Sequence, residues 1–243
     1  MTVRDEAIDI TVDGEIICGT LFMPHDAVGA VLFAHGWGGS RQQYLQRACA
    51  VAELGYLCLT FDFRGHGLRN DQREAVSRAD NLRDLLAAYD LLAAQCGSSP
   101  PAIGIVGSSY GAYLGAITTA LRAVDWLALR APALYKDADW EVPKVQLHKD
   151  PDFANYRRRV LAPEHNRALR ACAAFHGDVL IVESEHDDTM PHQVIENYVA
   201  ACMSARSVTR RLIKEADHGL TEPTWQREST AYLVNWLKQR KTD

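Results

Sequence analysis

Five residues, Gly107-Ser108-Ser109-Tyr110-Gly111, set a serine between glycines two positions away on either side. An apolar run, AIGIVG, precedes them, and the helix-forming run AYLGAITTA follows. A serine at the tip of such a strand-to-helix turn is forced into a strained backbone conformation, and the glycines remove side chains that would collide with it. Ser109 is therefore the candidate nucleophile, whereas Ser108, one residue early, lacks the flanking pattern. A serine hydroxyl attacks well only when a histidine takes its proton, and that histidine needs a carboxylate to fix its tautomer and stabilise its charged form. Both types occur downstream. The run VLIVES leads into Glu185-His186-Asp187-Asp188-Thr189-Met190-Pro191, and VTRRLIKEA leads into Asp217-His218-Gly219. His218 is read as the base and Asp187 as the acid that orients it. Upstream, His35-Gly36-Trp37-Gly38-Gly39 follows AVLFA. Backbone N–H groups fixed in a glycine-rich turn can stabilise the negative oxygen that nucleophilic attack creates, and the N–H groups of Trp37 and Tyr110 are the expected donors.

Such a site needs strands that deliver each residue to one edge. Residues 7–12 and 16–23 alternate apolar and polar across Asp13-Gly14, which predicts an antiparallel hairpin. Beyond it, short apolar runs alternate with helical stretches predicted over 41–54, 77–95, from about Ser109, and over 223–238. Apolar strands separated by helices imply a mostly parallel sheet covered on both faces, an α/β architecture expected to occupy residues 1–243 as one domain. Residues 133–160 break the rhythm, being rich in charge, aromatics and proline. They read as an insertion that either lids the site or anchors to the core, with Tyr135 and Trp140 as candidate substrate-binding aromatics and Phe153 and Tyr156 beside them.

Composition narrows the chemistry further. The 243 residues are 47% hydrophobic and 23% charged, and 26 Lys and Arg stand against 31 Asp and Glu, a net charge of -5. Nucleic acid and anionic membrane are not expected partners for such a chain. The N-terminal stretch carries acidic residues, and no run is long enough for a signal core or membrane span, so a cytoplasmic location is expected. Six cysteines, at 18, 49, 58, 96, 172 and 202, form no C-x-x-C pair and read as buried free thiols. His186, Asp187, Asp188 and His192 could suggest a metal cluster, but they lack the spacing of a helical zinc site, and no metal is expected. Arg64 and His66 read as loop-to-core hydrogen bonders, and Arg157-Arg158-Arg159 as a solvated helix face.

Taken together, these motifs make the chain resemble an α/β-hydrolase fold serine hydrolase of the serine aminopeptidase-like and dienelactone hydrolase-like esterase group. The order Ser, Asp, His, each after its own strand, carries the resemblance, as do the HGWGG turn and the loop Asp62-Phe63-Arg64-Gly65-His66-Gly67. In that group the acid usually lies four residues before the proline, which selects Asp187 over Asp188. Ser184 departs from the pattern, standing where the group often has glycine. The resemblance implies hydrolysis of an ester with a small or medium acyl group through an acyl-enzyme, with an oxyanion hole and no cofactor. A peptidase or thioesterase with the same triad, or a catalytically silent binding protein, are the alternatives.

Overall fold

Asp13 and Gly14 both adopt positive φ, 51° and 80°, the tight two-residue reversal expected of an Asp-Gly turn. It joins β1 (Arg4–Val12) to β2 (Glu15–Met23). The computed structural model describes residues 3–96 and 102–240. Residues 1–2, 97–101 and 241–243, included in the single-domain expectation, lie outside the described residues.

Six further strands follow: β3 (Gly29–Ala34), β4 (Tyr56–Phe61), β5 (Ile103–Ser108), β6 (Trp126–Arg130), β7 (Asp178–Ser184) and β8 (Ser207–Ile213). The sheet order is β1-β2-β4-β3-β5-β6-β7-β8. β2 pairs antiparallel with β1 and β4, and every pair from β4 to β8 is parallel. Strands β3 to β7 are buried along almost their whole length, as a sheet covered on both faces requires.

On one face lie α1 (Leu45–Ala52) and α7 (Pro223–Arg240), packed over Val106, Trp126, Ala128 and Leu180. On the other lie α2 (Arg78–Gln95), α3 (Tyr110–Thr118), α5 (Arg167–Ala173) and α6 (His192–Ala201), packed over Leu32, Ile105, Leu127 and Ile181. The helix expected over 41–54 begins as a 3₁₀ turn, Arg41–Tyr44, before α1. Ser77 caps α2 by accepting from Asp80 N–H while the Asp80 carboxylate accepts from Ser77 N–H.

The predicted insertion contains a 3₁₀ turn, Lys144–Lys149, and one short helix, α4 (Phe153–Arg157). Three side chains tie it down. Arg78, buried on α2, donates to the carbonyls of Lys136 and Ala138. Asn166 donates to Tyr135 O and Tyr156 Oη while its own oxygen caps α5. Arg157 donates to Leu134 O and Thr189 O. The expectation of a solvated Arg157-Arg158-Arg159 face is corrected at Arg157, which is buried with its guanidinium 4.0 Å from the Phe153 ring centroid. Arg158 and Arg159 are exposed. All six cysteines are free, but only Cys58, Cys172 and Cys202 are buried; Cys18, on β2 next to the edge strand β1, and Cys49 and Cys96, on or at the end of a helix, are partly exposed.

Candidate active site

Ser109 sits between β5 and α3 with φ 50° and ψ -111°, a conformation that a non-glycine residue adopts only under constraint. The constraint is visible in its main-chain bonds. Ser109 N–H donates to Arg130 O at 2.9 Å, and Ser109 O accepts from Tyr113 N–H at 3.1 Å and Ala133 N–H at 3.0 Å. A β-carbon on Gly107 would lie 2.5 Å from Ala112 Cα, and one on Gly111 would collide with the carbonyls of Ala34 and His35. Both glycines are thus demanded by the close approach of α3 to the ends of β3 and β5.

The turn lifts the Ser109 hydroxyl to His218. His218 Nε2 lies 3.0 Å from Ser109 Oγ, and His218 Nδ1 lies 2.7 Å from Asp187 Oδ2. Beside a carboxylate, Nδ1 carries the proton and donates it, which leaves Nε2 free to accept from the serine hydroxyl. The other carboxylate oxygen of Asp187 accepts from the N–H groups of Thr189 and Met190 at 2.9 and 2.7 Å. Asp188 instead turns to the Thr189 hydroxyl at the surface, and Glu185 accepts from Glu215 N–H. His186, Asp187, Asp188 and His192 do not converge, because Asp187 faces His218 while His192 pairs with Glu183 and Glu196.

Gly36 to Gly39 form a turn closed by Gly39 N–H donating to Gly36 O at 3.0 Å, with Gly38 at φ 79°. A β-carbon on Gly36 would stand 3.5 Å from that of Ser109, so this turn runs directly beside the serine. Among the described residues the Trp37 N–H has no acceptor, and Tyr110 opens α3, where an N–H has no partner within its own helix. Both are available to an oxyanion. His35 stiffens the turn: its Nε2 accepts from Phe63 N–H and its Nδ1 donates to Gly36 O. Burial pushes this imidazole down to about 4, so it stays neutral. His66 is buried likewise, pushed down to about 3, and donates from Nδ1 to Arg64 O. Arg64 is held by Asp84 and Asp13. Arg64 and His66 thus fill the loop-to-core role expected of them.

A cleft of about 740 Å³ opens beside Ser109 and His218, walled by Trp37, Tyr44, Leu220 and residues of α7. Tyr135 and Trp140 do not line it. Tyr135 is buried with its ring edge-on to Tyr110 and Tyr113, and Trp140 lies between the guanidinium groups of Arg78 and Arg167 while stacking on Tyr113. Both occupy anchoring positions. Missed by sequence reasoning were Arg47 and Arg130, which line the cleft. Among the described residues no helix is long and apolar enough to cross a membrane.

Residues 25–165 match the family model described as serine aminopeptidase, S33. Two uncharacterized proteins from two strains of Mycobacterium tuberculosis are each 30% identical to this chain over 203 residues, 82% of this chain. The chain spans 66% of the length of these relatives. Among solved structures, the ferulic acid-bound Est1E from Butyrivibrio proteoclasticus superposes with a TM-score of 0.72 at 18% identity, covering 97% of this chain and 100% of that one. A dienelactone hydrolase from Anabaena variabilis does so at 0.66 and 18%, covering 98% of both chains. For an acylaminoacyl peptidase from Pyrococcus horikoshii the values are 0.70 and 13%, over 98% of this chain and 42% of that one. At these identities the structural likeness carries the α/β-hydrolase fold alone.

Proposed function

The chain belongs to the serine aminopeptidase S33 family, and from that premise we propose that it is a serine hydrolase, a carboxylesterase acting on esters with a small or medium acyl group. One observation carries the reading: the unbroken series from Ser109 Oγ through His218 to an Asp187 carboxylate already held by two backbone N–H groups. In this mechanism Ser109 Oγ attacks the ester carbonyl as its proton passes to His218 Nε2. Asp187 stabilises the imidazolium, and the oxyanion is received by the N–H groups of Trp37 and Tyr110. The imidazolium then protonates the leaving alcohol, and water repeats the sequence on the acyl-enzyme. The cleft volume suits a ligand of modest size.

The test is a panel of p-nitrophenyl esters, thioesters and aminoacyl anilides, alongside labelling by a fluorophosphonate. The parent chain should be labelled and should turn over esters fastest. Ser109→Ala should lose labelling and about 10⁴- to 10⁶-fold in kcat while keeping its melting temperature within a few degrees. Retained turnover in Ser109→Ala would remove the serine mechanism. The acylaminoacyl peptidase among the structural neighbours makes amide cleavage the second reading; anilides turned over faster than esters would select it.

A further inference from the structure

Among the described residues, the cleft beside Ser109 is lined by Arg47, Arg130 and Arg227 and by no aspartate or glutamate, in a chain whose net charge is -5. Arg227 is exposed, and water solvates its charge. The other two are differently placed. Arg130 ends β6 directly opposite Ser108 in the β5 register. Its Nε donates to Ser108 Oγ at 2.7 Å, while its Nη1 is buried with no hydrogen-bond partner among the described residues. Arg47 reaches in from α1, donates from Nε to Thr230 Oγ1 at 3.2 Å, and lies over the Tyr44 ring. Both also line a small pocket on the sheet surface between Val106, Ala128 and Leu233.

Other buried arginines are held by acceptors inside the chain. Arg64 meets Asp84 and Asp13, and Arg78 and Arg157 reach main-chain carbonyls. Arg47 and Arg130 have no carboxylate among the described residues within ion-pair distance, and each leaves most of its donors unused. Desolvation lowers the proton affinity of both, and at Arg130 repulsion from Arg47 is set against more distant attraction from Asp187 and Asp217. Two half-buried cations lining one cleft, with no carboxylate in ion-pair contact among the described residues, form an unfavourable arrangement that an incoming anion relieves. Ser108 then has a positioning role: it fixes the Arg130 guanidinium one residue away from the nucleophile.

Resting on the hydrolase reading, we infer that Arg130 and Arg47 form an anion subsite, and that the substrate is an ester that also carries a carboxylate. The guanidinium pair holds that carboxylate at the cleft floor while Ser109 attacks the ester carbonyl. The charge can belong to the acyl part or to the alcohol part, and two matched substrate pairs separate these. On the acyl side, p-nitrophenyl hemiglutarate is compared with p-nitrophenyl pentanoate. On the alcohol side, p-carboxyphenyl pentanoate is compared with phenyl pentanoate.

In one pair the anionic member should have a kcat/KM about tenfold or more above its neutral partner. That ratio should fall to about one or below in Arg130→Met and in Arg47→Met, and survive in part in Arg130→Lys. A ratio at or below one in both pairs for the parent, or a ratio unchanged in both Met variants, overturns the subsite. Arg47→Met, at a half-buried helix position, keeps the test open if Arg130→Met fails to fold. Binding is measured apart from turnover by calorimetric titration of glutarate and of p-hydroxybenzoate into the Ser109→Ala chain. Adding Arg47→Met should weaken the tighter of the two about tenfold. Arg47-dependent binding in a chain whose parent hydrolyses no ester would sink the hydrolase reading and keep the subsite; ester hydrolysis with neither carboxylate preference nor binding would do the reverse.

Discussion

Asp187 and Asp188 are adjacent in the chain and opposite in orientation. Asp187 has one oxygen on His218 and the other on two backbone N–H groups, whereas Asp188 faces a surface hydroxyl. Asp187→Asn keeps the shape of the side chain but can offer its amide to Nδ1, favouring the wrong imidazole tautomer. Its kcat on a p-nitrophenyl ester should fall about 10⁴-fold, and Asp188→Asn should stay within about twofold of the parent. Equal losses in the two would withdraw the assignment of Asp187. Ser109, Asp187 and His218 were legible in the sequence because each is bound to a local pattern: a glycine-flanked turn, or an acidic or histidine residue just past an apolar strand. Arg47 and Arg130 were not. They sit on different elements, and only the packing of α1 and α7 over the C-terminal end of β6 brings them to one cleft. Arg157 misled for a related reason: its neighbours Arg158 and Arg159 are solvated, but the short helix α4 turns both Tyr156 and Arg157 inward.

At the scale of elements, the strand-helix alternation was readable because strands buried on both faces are apolar throughout, and Ser77 and Pro223 mark helix starts by capping and by fixed φ. The 133–160 segment was readable only as an interruption, since its form comes from contacts with α2, α3 and α5. Trp140 illustrates what those contacts do. It sits between Arg78 and Arg167, stacks on Tyr113 and stays outside the cleft. Trp140→Ala should therefore lower stability by about 2 kcal/mol, roughly 5 °C in Tm. The rank order of kcat/KM across acyl chain lengths should not move. A reordered chain-length profile at unchanged Tm would mean that this aromatic contacts the acyl group.

At the scale of the whole molecule, buried titratable groups shape the response to pH. Lys144, on the insertion, lies over the rings of Trp37, Tyr110 and Tyr135, and burial pushes it down to about 6 from an ordinary 10.5. Between those values the unfolded chain binds a proton that the folded chain does not, so stability rises with pH from about 6 towards 10. His35, pushed down to about 4 from 6.5, and His66, pushed down to about 3, act in the same sense over a lower window. Their contributions are full above 6.5 and are lost as pH falls towards 4 and below. Asp84, raised by burial from 3.8 to about 6, opposes them between those two values. Melting curves should accordingly show Tm falling from pH 8 to pH 5. Lys144→Met should raise Tm at pH 7 by roughly 2–6 °C, about 1–2 kcal/mol, and flatten the upper part of the profile. A variant that melts lower at pH 7 with an unchanged slope would show that the ring contacts outweigh the cost of burying the amine. The guanidinium of Arg78 has a different consequence, one of timing. It is rooted in α2, and the carbonyls it holds belong to Lys136 and Ala138 on the insertion. Lifting residues 136–138 away leaves a cation stranded without those acceptors, so piecemeal opening around them is penalised and release of the stretch as a unit is favoured. Amide hydrogens of this stretch that are protected against exchange with heavy water should therefore exchange together, at one shared opening rate, and Arg78→Met should scatter those rates.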